Sequence, residues 1–353
     1  MSTVRTIALV GAGVIGKQHG LVISQLADHL RLVAVADVQI DRAEQLAAER
    51  GGRPYGSLTE ALAAEEIDIV TVCTPTGRHA EVAIEALAAG RHVIVEKPAE
   101  ITVARTDEII EAQQKAGTLV TVISQHRFDP STESTLAAIE RGELGRLTSG
   151  IAAIDWWRGQ SYYDSGDWRG TWELDGGGAL MNQGVHTVDL LVAALGRPVE
   201  VFAYTGTLAH ERIEVEDVAV GVVRFESGAL GVLHATTAAY PGLSARLQVH
   251  GDKGSAVIDN DELAFFHVTP RGTEPEERLM GTTQAISGAA AAATASSNPG
   301  RLSDAHRLQY LNFLGALDGT EKLRVDLETN RQSIGVITGA YESARTGRPV
   351  SLS

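Results

Sequence analysis

The 353-residue chain has a single cysteine, Cys73, only three methionines, and no long uncharged apolar run. One cysteine permits no intramolecular disulfide and no thiolate metal cluster, so no metal is expected and a reducing compartment fits. No stretch approaches the roughly 18 uncharged apolar residues of a membrane-spanning helix. The N-terminus also lacks a basic segment followed by an apolar one, so no export signal is expected. Positive charge is scarce: 30 Lys and Arg stand against 45 Asp and Glu, a net charge of −15. Such a surface repels phosphate backbones and anionic lipid, which argues against nucleic acid and membrane as partners. A soluble, cytoplasmic protein is expected. Hydrophobic residues at 44% and charged residues at 21% lie close to a globular average, so wholesale disorder is excluded. The length suits roughly two domains.

The first third alternates strand and helix. Apolar runs at Arg5–Val10, Leu32–Ala36, Ile67–Val72, His92–Val95 and Leu119–Ile123 read as strands. Between them, Asp41–Arg50, His79–Ala89 and Thr102–Ala116 read as helices, stopped by Gly51-Gly52, Gly90 and Gly117. Continuous β-branched runs separated by helices imply a parallel sheet covered on both faces, a doubly wound domain over 1–125. Beyond Gln125 a helix at Ser134–Arg141 leads into alternating segments at Thr148–Trp157, Val199–Gly206, Asp217–Phe225, Leu230–Tyr240, Ala245–Gly251 and Ser255–Asp259. Tight turns join several of them, so they read as one antiparallel sheet in a second, α+β domain over 126–353. Gly288–Gly300 is Ala/Ser-rich without an apolar period and is expected to be a mobile loop. Helices near Ser303–Leu317 and Leu327–Thr346 finish the chain.

The glycine string Gly11-x-Gly13-x-x-Gly16, with Val14 and Ile15 inside it, follows the first strand and opens a helix. Gly11 allows the tight turn, Gly13 lets the backbone approach a pyrophosphate, and Gly16 lets helix and strand pack closely. Asp37 ends the next strand and suits a ribose diol. No Lys or Arg follows within four residues to meet a 2′-phosphate, so NAD is expected over NADP. Thr74, Pro75 and His79 follow the strand at Ile67–Val72, and Glu96-Lys97-Pro98 follows that at His92–Val95. In an open parallel sheet this is the edge where ligands lie. A lone Lys at a strand end is ordinarily a surface residue. Beside a nicotinamide cation and partly desolvated, Lys97 would have a lowered pKa and could move a proton.

Gly176-Gly177-Gly178 leads into a helix closed by Gly196, on which Asn182, His186 and Asp189 fall at i, i+4 and i+7, one face of an α-helix. A neutral His186 could accept a hydroxyl proton, with Asn182 orienting it or the substrate; the alternative is a structural histidine. All four tryptophans and two of the seven tyrosines fall between residues 156 and 172. Aromatic faces beside Arg158, Asp167 and Arg169 suit a ring with apolar C–H faces and a polar rim, a sugar or cyclitol. Trp168 and Arg169 are expected to line the site and Trp156 to be structural.

Taken together, Gly11–Gly16, Glu96-Lys97-Pro98, Gln125-His126-Arg127-Phe128, Gly176-Gly177-Gly178 and Gly184-x-His186-x-x-Asp189 resemble the glucose–fructose oxidoreductase / inositol dehydrogenase / MocA family across the whole chain. The resemblance implies a Rossmann domain and a C-terminal domain whose large open, mainly antiparallel sheet carries the substrate site and builds homodimers or homotetramers. It implies an NAD-dependent dehydrogenase acting on a secondary ring hydroxyl, with Lys97 and His186 catalytic, Gln125 at the cofactor, and Arg127 at the substrate. Where the family's inositol dehydrogenases carry Asp, this chain has Asn182. That departure looks more like the Asn-bearing branch, which includes nucleotide-sugar 3-dehydrogenases. Relatives that cleave glycosides with tightly held NAD, and a regulator that binds the dinucleotide without catalysis, are the other functions the resemblance admits.

Overall fold

The computed structural model describes residues 4–270, 272–273 and 301–352. Six strands, Arg5–Val10 (β1), Leu30–Ala36 (β2), Arg53–Tyr55 (β3), Ile69–Val72 (β4), His92–Val95 (β5) and Val120–Val122 (β6), form one parallel sheet of order β3-β2-β1-β4-β5-β6. β1 to β2 and β1 to β4 are both parallel pairs, so the winding reverses at β1. That reversal places a crevice at the carboxyl ends of β1 and β4. Every residue of β4 is buried and β1 is nearly so, which is why their sequence is continuously apolar instead of alternating.

Helices Val14–Gln25 (α1), Ile40–Arg50 (α2), Leu58–Ala64 (α3), His79–Ala88 (α4) and Val103–Ala116 (α5) connect the strands. Local chemistry sets their ends. Ser57 and Thr102 accept the amide protons of Glu60 and Arg105 as N-caps, and Gly117 ends α5 in the left-handed conformation at φ 64°. The first compact unit comprises Met1–Gln125 with Glu173–Gly176 and Pro299–Ile334. Tyr310, Phe313 and Leu314 of a late helix join Ile7, Leu9, Val35 and Ile94 in its core.

The second unit comprises His126–Trp172, Gly177–Asn298 and Gly335–Ser353. It begins with Pro130–Glu140 (α6), Leu147–Asp155 (β7) and the short Gln160–Tyr163 (α7). A π-helical turn over Ala179–Gly184 then runs into Val185–Leu195 (α8). Strands Pro198–Gly206 (β8), Val218–Phe225 (β9), Leu230–Thr236 (β10), Ala245–Gly251 (β11), Gly254–Asp259 (β12) and Glu262–Val268 (β13) follow. After Arg301–Leu317 (α9) and Leu327–Thr346 (α10), Val350–Ser351 (β14) closes an eight-stranded sheet of order β13-β12-β11-β7-β10-β9-β8-β14. The alternating segments predict an antiparallel sheet, and it is mainly that; the exception is β7 with β10, which pair in parallel. Leu190, Leu191 and Leu195 of α8 pack with Ala152, Leu233 and Leu247 in the core of this unit.

The Ala/Ser-rich run Gly288–Gly300, expected as a loop, lies outside the described residues. Among the described residues no helix is long and apolar enough to cross a membrane.

Candidate active site

The glycine loop has the geometry its spacing predicts. Gly16 must be glycine because a Cβ there would lie 1.9 Å from the carbonyl oxygen of Gly11. A Cβ on Gly13, by contrast, would meet nothing within 4 Å, which leaves open space at the start of α1 for a phosphate. Val14, at the first turn, is 85% exposed, and Gly16 is buried beneath it. Asp37 follows β2; one carboxylate oxygen accepts the amide proton of Ala12 at 2.8 Å and the other that of Gln39 at 2.8 Å. It therefore pins the glycine loop while keeping lone pairs for a ligand hydroxyl. Val38 beside it is 93% exposed, an apolar side chain that a flat ring could cover.

At the carboxyl ends of β4, β5 and β6, two buried polar atoms, Thr74 Oγ1 and Gln125 Oε1, have no hydrogen-bond partner among the described residues. Orphaned buried acceptors at a sheet edge fit a ligand that supplies donors. Together with the open space at Gly13 they fit a dinucleotide. Pro75 leads into the turn before α4. His79 is buried, with Nδ1 2.9 Å from the carbonyl oxygen of Pro98 and Nε2 2.9 Å from that of Thr74. Burial pushes its imidazole below the ordinary value, against the pull of those two carbonyls. The ring thus ties the segment after β4 to the one after β5.

Glu96 faces a buried network. His19 Nε2 donates to one of its oxygens at 2.8 Å and the backbone N–H of Lys97 to the other at 2.9 Å. His306 Nε2 lies 3.6 Å from the first oxygen. Burial alone would raise the carboxyl, but the hydrogen bond from His19 and the nearby His306 ring overcome it and hold the pKa well below the usual carboxylate range. His19 is pushed down by burial, so a neutral ring that donates to Glu96 from Nε2 and accepts the Tyr310 hydroxyl hydrogen bond at Nδ1, 2.7 Å away, satisfies both of its nitrogens. Lys97, partly exposed, follows directly on this anchored carboxylate.

In the second unit, Glu216 accepts the amide protons of Gly178 and Leu180 at 2.9 and 2.8 Å and the Tyr341 hydroxyl at 2.9 Å. This carboxyl caps the π-helical turn, and burial pushes its pKa up to about 7 against those donors. Gly178 must be glycine, since a Cβ would lie 1.8 Å from the carbonyl oxygen of Glu216. Between Ala179 and Leu190 every residue is buried except Asn182 and His186. The α-helical spacing predicts one face for Asn182, His186 and Asp189. Asn182 instead sits in the π-wound turn, where the phase differs. Asp189 is buried, and its carboxylate accepts from Arg127 Nε and Nη2 at 2.7 and 2.6 Å. Asn182 and His186 therefore share accessibility without Asp189, and Arg127, expected at the substrate, has two guanidinium nitrogens on that buried partner.

The aromatic segment divides as follows. The guanidinium of Arg169 lies 4.4 Å from the ring centres of both Tyr162 and Trp168 and donates to the Tyr162 hydroxyl at 2.7 Å. Gln183, next to Asn182, donates to the same hydroxyl at 3.0 Å. Arg158 stacks on Trp156 at 5.1 Å and Tyr162 at 5.3 Å. Tyr162 is thus the centre that links Trp168 and Arg169 to the turn bearing Asn182, a role no local pattern marks.

A Rossmann-order parallel sheet with a phosphate-ready glycine loop, followed by a large open sheet bearing a His/Asn helix, defines a dinucleotide-dependent oxidoreductase. Residues 5–124 match the oxidoreductase family with NAD-binding Rossmann fold, and residues 134–257 match the GFO/IDH/MocA C-terminal domain. Myo-inositol 2-dehydrogenase of Thermotoga maritima is 31% identical over 72% of this chain and 75% of its own length. Inositol 2-dehydrogenase of Rhizobium meliloti is 30% identical over 71% and 74%. The WlbA dehydrogenase from Bordetella pertussis, solved in complex with NADH and UDP-GlcNAcA, superposes with a TM-score of 0.86 at 32% identity, covering 99% of each chain. The chain belongs to the GFO/IDH/MocA family of NAD-dependent oxidoreductases.

Proposed function

We propose that this protein is a dehydrogenase that oxidises a secondary ring hydroxyl of a sugar, sugar derivative or cyclitol, with Lys97 and His186 handling the hydroxyl proton. NAD, when bound, supplies the hydride acceptor. Gly11, Gly13, Val14, Ile15, Gly16 and Asp37 would hold it, with Thr74, Pro75, His79, Glu96, Lys97, Pro98 and Gln125 shaping the nicotinamide side. The observation that carries the proposal is the pair Asn182 and His186, left partly exposed on an otherwise buried helical run. A buried structural histidine needs no such opening. Neutral His186 takes the proton; Asn182, which cannot titrate, orients it or the substrate. Lys97 holds or moves a proton at Nζ, and Trp168 and Arg169 bind the ring.

Within that class, a nucleotide-sugar or sugar-acid substrate is favoured by Arg158 and Arg169, two cations stacked around Tyr162. It is favoured also by Asn182, and by likeness over 99% of the chain to a dehydrogenase solved with UDP-GlcNAcA. The exposed face of the large sheet carries Tyr204, Val220, Val222, Leu230 and Val232, an apolar surface that supports a homodimer or homotetramer. The one cysteine supports a cytoplasmic home, which cell fractionation tests.

Purified protein offered NAD with cyclitols, aldoses, glycosides and nucleotide sugars should form NADH. Retention of NAD through dialysis with release of free sugar would instead mark a glycoside-cleaving enzyme, and NAD binding without turnover a regulator. Light scattering should give two or four subunits, reduced by Val222→Glu.

A further inference from the structure

His126 is not one of the two residues proposed to handle the proton, yet it packs against one of them, His186. Its Nδ1 lies 2.9 Å from an oxygen of Asp129 and 2.9 Å from an oxygen of Asp261, two carboxylates converging on one N–H. Its ring packs edge-to-face on that of His186, with centres 4.9 Å apart and planes at 81°. Asp129 is the N-cap residue of α6, and Asp261 sits in the two-residue turn between β12 and β13.

That turn is unusual in its second residue. Asn260 has φ 48° and Asp261 φ 64°, so both central positions are left-handed. A turn of this kind favours Asn followed by Gly, because Gly takes the second position without strain and Asp does not. Ser131 of α6 donates to the Asp261 carbonyl at 2.8 Å, which fastens the turn to the helix. A strained residue held in place points to something its side chain does, and here the carboxylate reaches His126.

We infer that His126 is a positioning residue: Asp129 and Asp261 lock it as an imidazolium against His186, and that neighbouring cation keeps His186 neutral and oriented to accept a proton. Burial opposes the charge on His126, but the hydrogen bonds to Asp129 and Asp261 prevail and push its pKa up to about 10. A like charge one ring away disfavours a second proton on His186. The other charged groups on elements packed against α8 have partners of their own. Arg127 is paired with Asp189, Asp155 of β7 with His234 at 2.6 Å, and Arg246 of β11 with Asp259 at 3.4 Å. His250 of β11 bonds Ser255 at 3.0 Å, while α6, which packs against α8, also carries the carboxylates Glu133 and Glu140. His126 influences catalysis in this way only if His186 takes the hydroxyl proton, as proposed above.

The test is an NMR titration of the full-length protein labelled with 13C-histidine, with the His186 signal assigned from a His186→Gln variant. In wild type, His126 should stay protonated from pH 5 to 8. His126→Gln removes the cation and leaves two carboxylates, so the His186 pKa should rise by about one unit or more, tenfold in proton affinity. Asp261→Gly removes one carboxylate and relieves the turn, so the protein should fold at least as well and His186 should move the other way, to a lower pKa. If His126→Gln fails to fold, Asp261→Gly decides alone. A His186 titration within about 0.2 units of wild type in the folded variants, or a His126 that itself titrates between pH 5 and 8 in wild type, overturns the inference. The titration needs no turnover, so its failure is distinct from failure of the catalytic proposal, which would show as full activity in His186→Ala.

Discussion

Arg127 and Asp189 are joined by two hydrogen bonds of 2.7 and 2.6 Å, with side chains only 7% and 5% exposed. They fix α8 to the segment that carries His126. Removing one partner leaves the other charge buried, so Asp189→Leu or Arg127→Leu should destabilise by about 3–5 kcal/mol. The double replacement should recover much of that, because no charge is then stranded. Urea unfolding of the three variants checks it; double-variant loss equal to the sum of the singles would contradict it.

Asp37 is proposed to govern cofactor choice. Its carboxylate holds Ala12 and Gln39, and as the proposed ribose-diol acceptor it would place like charge against a 2′-phosphate. Asp37→Ser should weaken NAD and improve the relative use of NADP, measured as the ratio of kcat/KM with each cofactor. A wild-type preference for NADP of about tenfold, some 1.4 kcal/mol, would show that the specificity assignment is wrong.

Lys97 and His186 are proposed to handle a single proton. Alanine at either should lower turnover on the order of 10²–10⁴-fold while NAD affinity, read by fluorescence titration, changes little. Because the two work as a unit, the double variant should be much less than multiplicatively worse. Turnover near normal in His186→Ala would move the proton acceptor elsewhere.

Glu216 links stability to pH. Its folded pKa of about 7 lies above the ordinary 4.5, so between those values the folded chain binds more protons than the unfolded one. This group's contribution is therefore present at low pH and lost as pH rises toward 7, on the order of 3 kcal/mol across the window. Glu216→Gln does not titrate. Relative to that variant, wild type should lose stability between pH 5 and 7.5 in urea unfolding; a constant difference would put the Glu216 pKa back in the ordinary range.

The Rossmann half was legible because its strands are short, continuous apolar runs ended by glycine signals. β1 and β5 fall on their predicted residues, and Thr102 and Gly117 bound α5. β3 and α3 carry no such run: Arg53-Pro54-Tyr55 is a largely exposed edge strand. The parallel pairing of β7 with β10 was not legible, since alternation shows which face is buried and not which neighbour lies alongside. At the candidate site, Asn182 and His186 stood out from the glycine-led helix, but the π winding beneath Asn182 depends on Glu216, far along the chain. Tyr162 stood out only as one aromatic among several. His126 lay in a visible motif without a role, because Asp261 reaches it through a hairpin turn that lacks the usual glycine.

The position of β7 in its sheet has a consequence for synthesis. β7 leaves the ribosome before either of its neighbours, β10 and β11, so a nascent chain that has already made α8 has a central strand with both edges bare. The α8 helix then lacks the floor formed by Leu233 and Leu247. The second unit should thus become protease-resistant late and abruptly, once the chain through Gly251 is free, instead of growing stepwise from its start. Limited proteolysis of ribosome-bound chains stalled at successive lengths would reveal this; resistance gained with chains that stop before β10 would show that α8 and β7 find a stable arrangement alone.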